Sequence, residues 1–229
     1  LIKVALIYKP ARVTPEGAWL TDVNSVWSRA PLAQTFRTAG GERFSVVVNH
    51  FKSKSCLGAS GANLDQGDGQ SCYNARRVLQ AQRLIAWIAS TVLPAAGDPD
   101  VLIIGDLNAG MREDPLTALT AGGYVNLVYA LVGPSAYSYV FDGQSGTLDY
   151  ALADAGLATQ ASGVVEWHAN ADEPSVLDYN EEFKSPGQLM SLYSPDAFRS
   201  SDHDPLAIEL SLDGTGGGRK VWMPLVAVR

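Results

Sequence analysis

The chain has 229 residues, of which 46% are hydrophobic, and its formal net charge is −7 at pH 7. This apolar fraction is enough for a sizeable core, which argues against an intrinsically disordered chain. An acidic surface repels phosphate backbones, so binding to nucleic acid would need a local basic patch or bound cations. No run of about 18 apolar residues is present, and we therefore predict no membrane-spanning helix.

Short apolar runs bounded by Gly, Pro, Asn or Asp recur along the chain and predict β-strands. The first run begins at once, without a starting Met, so we expect any targeting segment to lie upstream. The predicted strands are Ile2 to Tyr8, Arg43 to Phe51, Val101 to Ile104, Gly146 to Asp154 and the run "PLAIEL" that ends at Leu210.

A long helix is predicted between the second and third of these strands. Apolar residues recur there at helical spacing, Asn74 is placed as the N-cap, and Pro94 is expected to end the helix. A shorter helix is predicted after Asp114 and Pro115. The order strand, helix, strand indicates a layered α/β domain. We expect residues 168–200 to be irregular, with one short helix, and residues 213–229 to form a Gly-rich linker and a short apolar tail.

The two cysteines, Cys56 and Cys72, flank the polar stretch "CLGASGANLDQGDGQSC". A zinc site would need further ligands close by, and the sequence offers none there. We favour a disulfide over two buried free thiols. A disulfide is typical of an oxidising, extracellular compartment.

Polar residues that chemistry uses stand at the ends of the predicted strands. Binding groups of layered α/β folds gather at one edge of the sheet, so we expect these side chains to meet. Carboxylate and amide oxygens suit Mg²⁺ or Mn²⁺ better than zinc, and a neighbouring imidazole can move a proton near neutral pH. The residues concerned are His50, Asp106, Asn108, Asp149, Asp202 and His203.

Some of these residues also have an ordinary structural explanation. Asp106 and Asn108 fit a turn after Gly105, and His50 fits a hydrogen-bonded core histidine. Asp149 is harder to explain in that way, because aspartate is depleted inside strands and a buried carboxylate needs a partner. His203 lies between two aspartates. The third histidine, His168, has no such context and is assigned to the surface.

The motifs "NHFKSK", "GDLNA", "LDYALA" and "SDHDP", in this order, resemble those of the endonuclease/exonuclease/phosphatase superfamily, which has the DNase I-like fold. The segments "IYKP", "DQGDGQ" and "YSYVFDGQSGTLDY" are similar to those of bacterial extracellular nucleases. The resemblance extends over residues 1–212 and implies a four-layer α/β sandwich, of which this chain carries mainly the second, C-terminal half. The tail at 213–229 lies outside it.

The resemblance also implies roles for the catalytic residues. His203 would be the general base that activates water. Asp149 would orient His203 and stabilise its protonated form, as in other carboxylate–histidine pairs. His50 would steady the phosphoryl oxygens or protonate the leaving group.

Metal and phosphate ligands are implied in the same way. Asp202 would bind a divalent cation, Mg²⁺ or else Mn²⁺ or Ca²⁺. Asp106 and Asn108 would position the water or the metal and contact the phosphate. Lys9 and Arg76 are expected as further phosphate contacts.

These roles describe a secreted, metal-dependent nuclease that acts outside the cell or at its surface. DNA is its first candidate substrate, and RNA is a further candidate. The alternatives are a phosphatase or phosphodiesterase of the same fold that acts on lipid or small phosphate esters, and a non-catalytic binding module. The metal-binding Glu and an Asn of the superfamily's first half have no counterpart here. We therefore expect low activity from this chain alone, and pairing with a missing N-terminal half or with a second copy.

Overall fold

The computed structural model describes residues 3–178, 181, 184–212 and 220–225. Its strands are β1 Val13–Thr21, β2 Leu32–Thr38, β3 Arg43–His50, β4 Val101–Asp106, β5 Val125–Asn126, β6 Tyr139–Phe141, β7 Gln144–Gly146, β8 Asp149–Ala153, β9 Ala161–Glu166, β10 Leu206–Ser211 and β11 Lys220–Leu225. Its α-helices are α1 Asn74–Trp87, α2 Leu93–Ala96, α3 Asp114–Ala121, α4 Leu127–Leu131, α5 Ala155–Ala158 and α6 Pro186–Ser191.

The larger sheet has six strands in the order β1-β2-β3-β4-β8-β5. Strands β3 and β4 are parallel, and the other pairs in this sheet are antiparallel. A parallel pair requires a crossover connection, which α1 and α2 provide here. The β3–β4–β8 centre of this sheet is buried along nearly its whole length.

A second sheet has the order β11-β10-β9 and is antiparallel. The β10 residues Leu206, Ile208 and Leu210 belong to the same buried core as the large sheet, so the two sheets pack as layers. The predicted α/β sandwich is confirmed. Strand β11 comes from the segment predicted as a tail, whereas residues 213–219 and 226–229 lie outside the described residues.

The strand predictions for the centre of the fold are confirmed, since β3, β4, β8 and β10 lie where apolar runs were found. The prediction at the start of the chain is wrong: residues 3–9 form no strand, and residues 1–2 are not described. The edge pair β1 and β2 was missed. Strand β1 contains Pro15 and Gly17, which are unfavourable in a strand interior, and it pairs with β2 through a register shift.

The long helix is confirmed, but both predicted boundaries are wrong. Tyr73, with a positive φ of 60°, is the N-cap, and Asn74 is the first helical residue. A π-helical turn at Ile88–Val92 follows α1, and Pro94 falls in the first turn of α2, where its missing N–H is tolerated. Gly97 ends the helix in the left-handed conformation, with φ 64°.

The remaining predictions concern the second helix, the irregular segment and the cysteines. The shorter helix, α3, is confirmed, but it begins at Asp114 and includes Pro115 in its first turn, whereas it was predicted to begin after them. Residues 168–200 contain a short 3₁₀ turn at Ser175–Leu177 and helix α6. Cys56 and Cys72 form a disulfide. Among the described residues, no helix combines the length and apolar character needed to cross a membrane.

Strands β3 and β4 approach each other unusually closely at Gly105. Its φ is +134°, and a Cβ atom built there would lie 1.9 Å from the carbonyl oxygen of Asn49. That oxygen is backbone and cannot move aside cheaply, so only glycine fits at this position. Gly105 directly precedes Asp106, and the close approach therefore fixes where the end of β4 lies.

We predict that Gly105→Ala destabilises the fold by about 3 kcal/mol or more, because backbone must shift in the buried centre of the sheet. Gly143→Ala is the matched control. Gly143 has a positive φ of 74° but nothing within 4 Å of an added Cβ, so it should lose only about 1 kcal/mol. Urea unfolding followed by circular dichroism measures both variants, and equal losses would contradict the close-packing explanation.

Candidate active site

The strand register places three polar side chains in one row. His50 pairs with Asp106 across the parallel β3–β4 ladder, and Asp106 pairs with Asp149 across the antiparallel β4–β8 ladder. Residues that pair directly across neighbouring strands lie side by side. His203 reaches this row from the loop that precedes β10. Four of the residues predicted from strand ends are thus brought together at the end of the sheet where β3 and β4 finish.

His203 and Asp149 form a buried pair. Nδ1 of His203 lies 2.6 Å from Oδ2 of Asp149, and each side chain is 1% exposed. A carboxylate only accepts hydrogen bonds, so Nδ1 carries the proton and Nε2 is the free ring nitrogen of the neutral imidazole. Among the described residues, Nε2 of His203 and Oδ1 of Asp149 have no hydrogen-bond partner although both are buried.

Ser138 is a site residue that was missed in the sequence. Its buried hydroxyl donates to Oδ2 of Asp149 at 2.7 Å and accepts the backbone N–H groups of Leu148 and Asp149, each at 3.2 Å. This serine fixes the carboxylate that holds His203. A possible signal was its place between two aromatic residues in "YSYVF", because a lone hydroxyl in such a run must find a partner when buried.

The pKa of His203 is raised from its ordinary value of 6.5 to about 9. Burial by itself lowers this pKa, since it disfavours the charged imidazolium. The hydrogen bond and the charge of Asp149 act in the opposite direction, and so do the charges of Asp106 and Asp202. The negative charges dominate, so without a bound cation His203 is protonated at neutral pH.

Asp106 is held by a tight turn that Asn108 completes. The backbone N–H of Asn108 donates to Oδ1 of Asp106 at 2.8 Å, and its side-chain amide donates to Oδ2 at 2.9 Å. Asn108 has a positive φ of 48°, a conformation that asparagine tolerates better than most residues. On the other side, Nε2 of His50 lies 3.3 Å from Oδ2 of Asp106.

Asp106, Asp149 and His203 are close enough to bind one metal ion. One ligand atom from each lies within 4.8 Å of the others, and all three residues are buried. Asp202, which was predicted as a metal ligand, is half-buried and lies outside this group. Its role as a ligand stays a prediction. Its negative charge nevertheless acts on the neighbouring imidazole of His203.

Asp204 has a structural role beside the cluster. It accepts the backbone N–H groups of Asn170 and Ala171, both at 2.9 Å, and its Oδ2 lies 2.8 Å from Nδ1 of His168. The side-chain amide of Asn170 in turn donates to the carbonyl oxygen of His203 at 2.7 Å. His168 lies at the surface, as predicted, but its partner Asp204 was not foreseen. This network holds the backbone that carries His203.

Two predicted phosphate contacts are not part of this cluster. Lys9 lies just before β1, whose first residue pairs with Thr38. Thr38 lies at the end of the sheet where β3 begins, and His50 lies at the other end, where β3 finishes. Arg76 donates to the carbonyl oxygens of Val26 and Ser25 at 3.0 and 2.9 Å. The structure therefore places Lys9 away from the site, whereas Arg76 attaches α1 to a loop and its charge acts on Lys52.

A basic group that includes Arg76 lies next to the site. Arg29 and Asn108 both donate to the carbonyl oxygen of Phe51, at 3.4 and 3.2 Å. Lys52 is the next residue, and burial together with the charges of Arg29, Arg76 and Arg77 lowers its pKa. We call Arg29, Lys52 and Arg76 the basic cluster. It concentrates positive charge at one place on an otherwise acidic protein.

The fold and this buried acid–imidazole cluster define an α/β sandwich protein with a candidate hydrolytic site. A sequence profile described as the Endonuclease/Exonuclease/phosphatase family matches residues 3–203. The chain belongs to this family, whose members are hydrolases that act on phosphate esters. A comparison with curated proteins gave no match.

Solved structures with a similar fold include an endonuclease/exonuclease/phosphatase from Bacteroides vulgatus, which is 14% identical with a TM-score of 0.51; the match covers 89% of this chain and 68% of that one. A mannosyl-6-phosphatase from Bacteroides thetaiotaomicron is 13% identical with a TM-score of 0.49, covering 70% and 59%. The human Nocturnin catalytic domain is 16% identical with a TM-score of 0.44, covering 68% and 51%. This chain thus spans about half to two thirds of the length of these structures.

We predict that stability falls with rising pH in the presence of EDTA. A folded-state pKa of about 9 against 6.5 means that the His203–Asp149 pair stabilises fully below pH 6.5 and loses this contribution as pH rises through 9. The free energy of unfolding should decrease across this window by up to about 3 kcal/mol. Urea unfolding from pH 6 to pH 10 measures the decrease.

Asp149→Asn is the matched variant for this measurement. It removes the charge that most strongly favours the imidazolium, so the decrease between these pH values should become much smaller. An identical pH dependence in both proteins would assign the effect to other groups.

Proposed function

We propose that this protein is a metal-dependent phosphodiesterase that hydrolyses nucleic acid, with DNA as the first candidate substrate and RNA as the second. The observation that carries the proposal is the Nε2 atom of His203, which is buried, has no hydrogen-bond partner among the described residues, and lies in a cluster with two carboxylates. A buried imidazole nitrogen without a partner is costly, and its use by a bound water or substrate explains it.

The residues present fit a divalent cation. Oδ1 of Asp149 is buried and has no hydrogen-bond partner within the described residues, and Asp106 offers a second carboxylate next to it. These are hard oxygen ligands of the kind that Mg²⁺, Mn²⁺ and Ca²⁺ prefer. Asn108 and Asp202 would complete the set. When bound, the cation would stabilise the charge of the phosphate and, by offsetting the carboxylates, lower the pKa of His203 towards neutrality.

The protein's own groups would divide the reaction as follows. Nε2 of His203 accepts a proton from water, the water oxygen attacks phosphorus, and the bond to the leaving oxygen breaks. Asp149 holds the ring and stabilises the imidazolium that forms. His50 would donate to a phosphoryl oxygen and supply the proton that the leaving oxygen takes up. Both amide hydrogens of Asn108 are already donated, to Phe51 and to Asp106, so its side-chain oxygen would face the cation as an acceptor.

The basic cluster supports nucleic acid as the substrate. The cation and the His50 side chain beside Asp106 would be enough to offset the charge of the one phosphate that reacts. Lys52 instead carries its charge beside the site: its ammonium lies 3.4 Å from the Ser53 hydroxyl and 4.1 Å from the Tyr73 ring centroid, and it pairs with no carboxylate among the described residues. A substrate with a second phosphate would offset this charge, as the backbone of nucleic acid does.

The second candidate is a phosphatase or phosphodiesterase on small or lipid phosphate esters. The same cluster of Asp106, Asp149 and His203 would serve it, because the reacting group is again a phosphate. We also propose that the protein acts outside the cell or at its surface, on the ground of the Cys56–Cys72 disulfide. Pairing with another segment or with a second copy stays a prediction.

We predict that His203→Gln lowers cleavage of a fluorescent DNA oligonucleotide in Mg²⁺ or Mn²⁺ by about 100-fold or more, the usual range for loss of a general base. EDTA should abolish the wild-type cleavage. His168→Gln is the matched control, because His168 lies outside the metal cluster and Asp204 binds the backbone N–H groups of Asn170 and Ala171 through its other oxygen. This variant should retain most of the activity.

The same enzyme samples should be tested on an inositol phosphate and on a phospholipid. Hydrolysis of these esters that depends on His203, without cleavage of DNA or RNA, would replace the nuclease proposal by the second candidate. Full activity of His203→Gln on every substrate would refute the assignment of the site.

We predict that Lys52→Gln weakens DNA binding and reduces the slope of log affinity against log salt concentration by about 1, because one phosphate contact is lost. Lys9→Gln removes the same charge at the opposite edge of the sheet and should leave the slope unchanged. Fluorescence anisotropy at several salt concentrations measures both variants. A larger change of the slope in Lys9→Gln than in Lys52→Gln would mean that the substrate binds at the end of the sheet opposite His50.

A further inference from the structure

Two aromatic rings continue the line of the candidate site outwards from His203. The ring centroid of Tyr139 lies 4.7 Å from that of His203, and the rings of Tyr139 and Phe141 lie 6.3 Å apart with their planes 10° from parallel. Both residues belong to β6, where positions i and i+2 lie on the same face. We call Tyr139 and Phe141 the aromatic row.

The hairpin that carries this row is fixed to the catalytic groups. Tyr139 forms an isolated antiparallel bridge with His203, and the backbone N–H of Asp204 donates to the carbonyl oxygen of Ser138 at 2.8 Å. The Ser138 hydroxyl also holds Asp149. The position of the hairpin backbone relative to the imidazole is therefore set before any substrate binds, and a preorganised surface binds at lower entropic cost.

The outer ring of the row is open to solvent. Phe141 is 69% exposed, whereas Tyr139 is half-buried against the imidazole. A single exposed phenylalanine is common on protein surfaces. Here, however, the exposed ring is nearly parallel to a second ring that touches the candidate general base. That alignment is what a flat partner in contact with the reacting group requires.

We infer that Tyr139 and Phe141 bind an unpaired nucleobase of the substrate, the base of a nucleotide next to the phosphate that is cleaved. This inference rests on the proposed function, and it narrows the substrate to single-stranded or unwound nucleic acid. Every base has a flat π-face, so stacking of this kind is tolerant of sequence. A base inside a duplex has both faces covered by its neighbours and cannot stack on the row.

Continuity with the site selects this occupant. A phosphate that reaches Nε2 of His203 brings its own sugar and base within reach of a ring only 4.7 Å away. The basic cluster lies on the β3 side of the site and the aromatic row on the β6 hairpin. Backbone phosphates and a base would thus be bound by separate surfaces, as is general for proteins that bind single strands.

The first test is a stacking measurement with 2-aminopurine, a base whose fluorescence falls when it stacks. Single-stranded oligonucleotides carrying it on either side of the cleaved phosphate are mixed with the His203→Gln protein to prevent cleavage. We expect strong quenching of the 2-aminopurine fluorescence at one of the two positions. Adding Phe141→Ala to the His203→Gln protein should abolish this quenching, and adding Phe141→Tyr instead should preserve it. Trp19→Ala, which alters an exposed ring on the edge strand β1, should not change it. The same label inside a duplex should be quenched less by the protein.

The second test is a cycle of activity measurements. Phe141→Ala should raise the KM for a single-stranded oligonucleotide about tenfold, within the range measured for loss of one stacked base. Replacement of the stacked nucleotide by an abasic one should raise the wild-type KM similarly. The two changes together should cost little more than either alone, because they remove the same contact.

The outcomes separate this inference from the proposed function. One set of results would overturn the stacking site alone. In that case cleavage of nucleic acid depends on His203, but quenching does not depend on Phe141. The effects of Phe141→Ala and of the abasic nucleotide on KM are then additive. Hydrolysis confined to small or lipid esters, with no quenching, would overturn both. Quenching lost in Phe141→Ala supports the site even where cleavage is slow.

Discussion

The register of three neighbouring strands is the constraint on which the site depends. His50, Asp106 and Asp149 pair across β3, β4 and β8, so the hydrogen-bond ladder sets their separation. A slip of one residue would turn any of these side chains to the other face of the sheet. The close approach at Gly105 prevents such a slip, since backbone contact leaves no freedom there.

The chemistry of the site follows from placing like charges together away from water. Asp106 and Asp149 are both buried, which is unfavourable unless each carboxylate finds donors. Asn108, Ser138 and His203 supply them. Oδ1 of Asp149 and Nε2 of His203 still have no hydrogen-bond partner in the described part of the chain. A fold that leaves polar atoms in this state sacrifices stability locally, as functional sites commonly do.

The proposed substrate agrees with the uneven distribution of charge. A net charge of −7 keeps polyanions away from most of the surface, whereas Arg29, Lys52 and Arg76 concentrate positive charge beside the cluster. Attraction would therefore be limited to the edge of the sheet where the reaction is proposed. The aromatic row adds a neutral contact at the same edge, and together these surfaces suit an anionic chain with flat bases.

The sequence by itself determined the central strands, the long helix and the identity of the clustered residues, because buried strands and their polar ends leave strong local patterns. His50, Asp106, Asn108, Asp149 and His203 were all found in this way. The edge strands were not, since pairing and not composition makes β1 a strand. Only the tertiary structure decided that Ser138 supports Asp149, that Asp204 binds His168, and that Lys9 lies at the wrong edge while Lys52 lies beside the site. These relations join residues distant in the sequence, and no local pattern records which partners the fold brings into contact.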